Sequence, residues 1–253
     1  MYLLLPIIAA IGLRASLEHG DLYQYKGTPP LTSIIIPTYN EELYIRKVVN
    51  SILNQPLIKK YPSRFELVLV DSGSNDKTVK IAKPLVDRVI LAPRGKLTGK
   101  DIGVRAARGN IIVCVDADLY FPPRWIDKML RHYLDPEVVG VKGIYISSFQ
   151  NGKGVILETL SVPFEVFARR KQMVGGNNSF RRKAYIKCGG YNLNVNQLRW
   201  ESIEPEEEWL FPKRLEKIGK VVFDPSVIAY HPPRRMLPID PQYTAQIKRG
   251  ARF

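Results

Sequence analysis

Asp116 and Asp118 stand one residue apart, directly after the apolar run Ile111-Ile112-Val113-Cys114-Val115. Two anions this close repel each other, and a shared divalent cation turns that repulsion into attraction. Carboxylate oxygens suit the hard ions Mn2+ and Mg2+. An isolated Asp-x-Asp also arises where one aspartate caps the following segment and the other is solvated in a turn. The elements that surround the pair decide between these readings.

The run Ile111 to Val115 is a short β-branched stretch of the kind that fills a parallel strand covered on both faces. Its carboxyl end is where open α/β sheets bind ligands. Upstream, Ser33 to Ile36 predicts a first buried strand ended by Pro37-Thr38-Tyr39-Asn40-Glu41, and an amphipathic helix follows over 42–53. Glu66 to Val70 repeats the pattern and ends in Asp71-Ser72-Gly73-Ser74-Asn75-Asp76, a turn and N-cap for a helix through Lys83. A short strand over 88–91 and a helix over 98–108 lead into the Ile111 strand. Strands and helices alternating at this spacing predict βαβ crossovers and a mostly parallel sheet. Glu41, Asp71, Asp116 and Asp118 then gather along one rim.

Past Pro122-Pro123 the pattern predicts a helix over 124–134 and a strand over 138–147, then an amphipathic stretch, 155–171, suited to a surface or a membrane. Gly175-Gly176-Asn177-Asn178-Ser179-Phe180-Arg181-Arg182 reads as a flexible loop carrying a basic pair. Gly176 and Asn177 let the backbone approach a ligand there, and Arg181 or Arg182 is placed to contact phosphate; a solvated charged loop is the alternative. The acidic cluster Glu204 to Glu208 opens a helix to about Lys217, where carboxylates also favour the helix dipole. Short strands over 221–223 and 227–230 close the unit.

The 253 residues are 45% hydrophobic and 25% charged, ordinary for a globular protein with a sizeable core. The net charge of +14 is not ordinary and calls for an anionic partner, such as phosphate groups or an acidic membrane surface. No nucleic-acid-binding motif accompanies it, so nucleic acid is not the expected partner. Cys114 and Cys188 lack the paired spacing of a metal or disulfide framework, which points to a reducing, cytoplasmic compartment. Tyr2 to Leu13 is apolar but falls short of the roughly 20 residues that span a bilayer. It fits a helix lying on a membrane or on the domain, so the expected location is cytoplasmic with peripheral membrane contact.

Taken in order, several motifs resemble family 2 of the inverting, nucleotide-sugar-dependent glycosyltransferases with the GT-A fold. They are Ile36-Pro37-Thr38-Tyr39-Asn40-Glu41, Val70-Asp71-Ser72-Gly73-Ser74-Asn75-Asp76-Lys77-Thr78, Gly95-Lys96, Ala106-Ala107-Arg108-Gly109 and Val115-Asp116-Ala117-Asp118. Phe180-Arg181-Arg182 with Gly189-Gly190-Tyr191, and Glu207-Glu208 with Arg214-Leu215 and Gly219, follow. Each motif is weak alone; the ordered set is specific and covers about Ser33 to His231.

The resemblance implies an α/β fold: a Rossmann-like, mostly parallel sheet flanked by helices, with a short mixed C-terminal sheet portion. It divides the chain into an apolar segment and linker over 1–30, a transferase domain over 31–231 and a basic, proline-rich tail over 232–253. Within the domain, 31–120 would be the nucleotide-binding half and 121–231 the acceptor-binding half. By the same resemblance Pro37, Thr38, Tyr39, Asn40, Glu41 and Asp71 line the nucleoside site, with Asp71 reading the base. Lys96 and Lys100 lie near the nucleotide. Asp116 and Ala117 hold the ribose side, Asp118 is the more direct metal ligand, and His231 approaches the metal or diphosphate.

The family's catalytic base matches Glu208, beside Glu207, with glutamate where the family usually has aspartate; Glu206 is a further candidate. The implied partners are a UDP- or GDP-type sugar donor and a glycan or lipid-linked acceptor. Three alternatives stay open: a non-catalytic nucleotide-sugar-binding module, a polyprenyl-phosphate sugar transferase and, ranked last and suggested by charge alone, a nucleic-acid-binding protein. The polyprenyl-phosphate class carries glutamine where this chain has Tyr120.

Overall fold

A computed structural model describes residues 23–147, 173, 175–193 and 203–231, with side chains left aside at 147, 203–209 and 231. The stretches 1–22, 155–171 and 232–253, each given a role above, lie outside the described residues. Strands β1 (Thr32–Thr38), β2 (Phe65–Asp71), β3 (Arg88–Leu91) and β4 (Ile111–Val115) alternate with helices α1 (Ile45–Leu53), α2 (Pro56–Lys60), α3 (Thr78–Ala82) and α4 (Lys96–Ala106). Then come α5 (Trp125–Leu130), β5 (Val138–Ser147), β6 (Asn177–Arg181), α6 (Arg182–Lys187), α7 (Ile203–Glu216) and β7 (Lys220–His231).

The strands form one sheet in the order β3-β2-β1-β4-β6-β5-β7. β1 is parallel to β2 and to β4, and β2 is parallel to β3. β6 runs antiparallel between β4 and β5, and β7 is parallel to β5. The chain leaves β1 for β2 on one side and later returns to β4 on the other. A switch point therefore opens between the carboxyl ends of β1 and β4, where such sheets bind ligands.

Alternation along the strands builds a core on each face. Ile34, Ile36, Val113 and Val115 face α1 and α5, which contribute Ile45, Val48, Val49, Ile52 and Trp125. Those α1 positions recur at helical spacing and bury one stripe. Ile35, Val68, Val70, Ile112 and Cys114 face the other way, onto Val104 of α4, Tyr185 of α6 and Phe211 and Leu215 of α7. A Cβ on Gly103 would stand 2.4 Å from Ile35 Cγ2, so α4 is seated directly on β1.

Three expectations are corrected. The glycine- and asparagine-rich stretch is no flexible loop: 177–181 form the inner strand β6, and its polar residues 177–179 are fully buried. Side-chain hydrogen bonds offset most of the desolvation cost, although Asn178 Oδ1 has no partner, and hydropathy reads such polar residues as solvent-exposed. The two short closing strands are one strand, β7, interrupted where its register with β5 shifts between Lys142 and Ile144. The helix expected over 124–134 splits into α5 and a 3-10 turn over Arg131–Leu134.

Two buried carboxylates pin the sheet. Glu66 accepts from Ser33 Oγ (2.6 Å), the Arg108 amide (3.0 Å) and Arg88 (3.2 Å), linking β1, β2, β3 and the entry to β4. Burial alone would raise its pKa, but these donors outweigh it and hold the carboxyl below its ordinary value. Asp224, at the break in β7, accepts from Arg131 (2.7 Å) and Ser226 Oγ (2.7 Å) and lies 2.7 Å from His132 Nε2. Burial raises its pKa too, and His132, Ser226 and Arg131 together hold it far below the usual range.

Glu66→Ala strands the Ser33 and Arg108 donors and is expected to cost about 2 kcal/mol, read as a lower denaturation midpoint. Both carboxyls titrate lower when folded, so their stabilisation is complete above about pH 5 and drains away as pH falls through the folded values. Thermal melts between pH 6 and pH 2 should therefore fall in Tm, and Asp224→Asn should flatten that fall.

Candidate active site

The loops after β1 and β2 are sewn together at the switch point. The Ser72 amide donates to Thr38 O (2.9 Å), and the Asn40 amide donates to Ser74 Oγ (2.9 Å). Asn40 Oδ1 accepts from the Asn75 amide (2.9 Å), and the Glu41 amide donates to Thr78 Oγ1 (2.6 Å). Asn40 sits at φ 54°, a left-handed conformation that asparagine tolerates better than most residues. Tyr39 carries the Arg94 guanidinium over its ring at 4.3 Å, and Arg94 also donates to the Tyr39 hydroxyl. Pro37, Thr38, Tyr39, Asn40, Glu41 and Asp71 thus form one continuous wall.

Asp71 is buried and spends its carboxylate within that wall. Oδ2 accepts from the Gly73 (3.0 Å) and Ser74 (2.9 Å) amides, while Oδ1 accepts from the Ser74 and Thr38 hydroxyls. The side chain shapes the turn that faces the crevice.

Asp116 follows β4 at the same rim. Its Oδ2 lies 3.0 Å from Lys96 Nζ at the start of α4, a partly buried pair with 33% of the lysine and 19% of the aspartate side chain exposed. Ala117 is buried and Asp118 half-buried on the turn that follows. The turn then bridges to β7: the Tyr120 amide donates to Tyr230 O, and the Tyr230 amide to Tyr120 O, both at 2.8 Å. This antiparallel bridge carries the His231 backbone alongside Leu119, next to Asp118. The His231, Glu206, Glu207 and Glu208 side chains lie outside the described residues; the backbone of the three glutamates is in α7.

The second wall comes from the turn before β6. Gly175 sits at φ 61°, a glycine conformation, and a Cβ on Gly176 would stand 1.9 Å from the Asp116 nitrogen. Only glycine lets the backbone pass this close to the acidic strand end. Lys100, 3% exposed, donates to Gly175 O at 2.7 Å. Asn177 is fully buried: Nδ2 donates to Ile144 O and Val227 O, and Oδ1 accepts from Trp125 Nε1, each at 2.8 Å.

Arg181 does not reach this crevice. It pairs with Ile111 at the opposite end of β4, and its guanidinium donates to Val138 O, Tyr133 O and Asp135 O. A basic pair after a glycine turn reads as a phosphate contact in sequence, but four intervening strand residues carry it across the sheet. Sequence reasoning missed Gly175, Asn178 and Arg94. The paired glycines before paired asparagines were the signal for the first two.

The donor set fits a hard divalent cation. Two carboxylates are the usual protein share where substrate phosphates and water complete an Mg2+ or Mn2+ shell. Among the described residues no group of three His, Cys, Asp or Glu side chains is arranged to hold a metal. Cys114 lies buried behind the site, where burial pushes its thiol up to about 11.

Comparison with known proteins places this arrangement. An uncharacterized glycosyltransferase of Haemophilus influenzae is 31% identical over 139 residues, covering 52% of this chain and 54% of that protein. The dodecaprenyl-phosphate galacturonate synthase of Rhizobium johnstonii is 34% identical over 106 residues, covering 39% of this chain and 31% of the synthase. The chain thus spans about half or less of the length of these curated relatives. A mannosyltransferase from Pyrobaculum calidifontis, solved with GDP-Man and Mn2+, aligns over 96% of this chain and 72% of its own at a TM-score of 0.59 and 20% identity. That likeness shows a shared fold, the GT-A arrangement of a mostly parallel sheet with flanking helices. The sequence profile of glycosyl transferase family 2 matches residues 33–197, and the chain belongs to that family.

Proposed function

We propose that the chain is the catalytic domain of a metal-dependent glycosyltransferase that moves one sugar from a UDP- or GDP-type donor with inversion. The acceptor is a hydroxyl or phosphate of a glycan or lipid-linked substrate. The observation that carries this reading is the juxtaposition of Asp116, Asp118 and Lys96 at the β1/β4 switch point, beside a wall of loop backbone suited to a nucleoside. The nucleoside lies against Pro37 to Glu41 and the Asp71 turn. Ala117 and Asp116 face its ribose side.

In the proposed step the acceptor oxygen forms a bond to the anomeric carbon as the bond from that carbon to the diphosphate oxygen breaks. A single in-line displacement inverts the centre. The proton of the acceptor passes to the Glu208 carboxylate, or to Glu207 or Glu206 beside it, and the bonding electrons leave with the diphosphate. Asp118, Asp116 and His231 are the residues that would hold Mn2+ or Mg2+. The cation supplies Lewis-acid charge to the departing diphosphate. Lys96 is placed to move from Asp116 to the phosphates as their charge develops. Gly176 and Asn177 close the acceptor side as backbone and buried support.

The net charge of +14 suits work at an anionic membrane surface, where a lipid-linked acceptor would be found. The similarity to a dodecaprenyl-phosphate synthase favours such an acceptor. Among the described residues no helix is long and apolar enough to cross a membrane. The contact proposed here is peripheral, from the cytoplasmic face, and rests on the charge.

A thermal-shift screen of UDP- and GDP-sugars tests the donor reading, because ligand that binds only the folded state raises Tm. One donor class should raise Tm in the presence of Mn2+, and Asp118→Asn should remove the metal-dependent part. Glu208→Gln should keep donor binding while turnover falls about 10^3-fold. No Tm shift and no nucleoside diphosphate release with any donor would refute the proposal; loss of turnover in Glu207→Gln instead moves the base one residue.

A further inference from the structure

Lys100 was expected near the nucleotide, yet its ammonium is buried and turned onto protein. It donates to Gly175 O at 2.7 Å, and the fully buried Asn178 donates from Nδ2 to the same oxygen at 2.9 Å. Two donors thus converge on one carbonyl of the turn that presses on Asp116. A Cβ at Gly175 would come within 3.0 Å of Asp116 Oδ2, and one at Gly176 within 2.6 Å of Asp116 Cγ.

The root of the lysine is equally fixed. Gly99 and Gly103 seat α4 against β1 and β2, with Pro37 Cβ 3.4 Å from a Cβ at Gly99. From the outer side, Asp101 Oδ1 accepts from Tyr185 Oη (2.7 Å) while Oδ2 pairs with Arg105 (2.7 Å). Lys96 and Lys100 are four residues apart, on one face of this braced helix. The first grips the Asp116 carboxylate and the second grips the turn packed against it.

We infer that Lys100 is a positioning residue: with Asn178 it clamps the Gly175 carbonyl and so fixes the turn packed against the Asp116 carboxylate that Lys96 also holds. The ligand consequence rests on the proposal that Asp116 serves the donor and its cation. The clamp itself does not. Removing a partner that orients a ligand-binding carboxylate typically costs about 10- to 100-fold in affinity or activity.

The test compares Lys100→Met, Lys100→Gln, which retains an N–H donor, and Asn178→Ala in the full chain. Without ligand, amide hydrogen exchange over 110–120 and 175–181 should quicken about tenfold or more in Lys100→Met, less in Lys100→Gln, and stay unchanged over 65–71. With Mn2+ and the donor found active, KM should rise about tenfold or more while kcat changes less. The penalty should not multiply with that of Gly176→Ala, because both act on the same turn. Unchanged exchange in the ligand-free protein, or a fully multiplicative double variant, overturns the inference in favour of a direct phosphate contact. If Lys100→Met does not fold, Lys100→Gln and Asn178→Ala make the same comparison. If the wild type binds no nucleotide sugar, the donor reading fails while the exchange measurement still decides the clamp.

Discussion

The backbone of Gly176 lies so close to Asp116 that no side chain fits between them. This contact joins the two halves of the molecule. Strand β6 must enter antiparallel beside β4 for it to exist, and once there it commits Asn177, Asn178 and Ser179 to full burial. Each then finds partners: Asn177 with Trp125, Ile144 and Val227, Asn178 with Gly175, Ser179 with the Tyr133 hydroxyl at 2.8 Å. These bonds offset the cost of burying polar side chains and fix the register of the strand, with Asn178 Oδ1 the one oxygen of the three side chains left without a partner.

Charge is arranged around the same point. Carboxylates collect at the carboxyl rim of the parallel strands, and Lys96 balances Asp116 there. At the opposite end Arg181 clamps three carbonyls and Glu66 gathers the starts of β1, β2 and β4. One end of the sheet is therefore locked by internal hydrogen bonds, while the other presents charge to the crevice. That polarity is what a doubly wound sheet offers a phosphate-bearing ligand.

The wall of loops beside the crevice shows how rigidity is reached without long elements. The loop from Pro37 to Glu42 and the loop from Asp71 to Thr78 exchange backbone-to-side-chain bonds in both directions. Asp71, the strongest candidate in the sequence for reading a base, uses both oxygens to hold its own turn. Its contribution to the crevice is the shape of that turn.

The parallel half of the fold is legible in the residues. Buried β-branched runs, amphipathic helices and capping turns are local signals, so β1 to β4 and the acidic rim could be read from spacing alone. The ordered motifs did the same for the family. Three placements came from the folded chain alone. Hydropathy marked 177–181 as a solvated loop because burial of asparagine depends on partners up to 52 residues away. Arg181 looked like a phosphate ligand because sequence does not say at which end of a strand a residue emerges. Lys100 looked like a nucleotide contact because charge is visible in a sequence and the carbonyl that takes it is not. Long-range hydrogen bonds, not propensity, set all three.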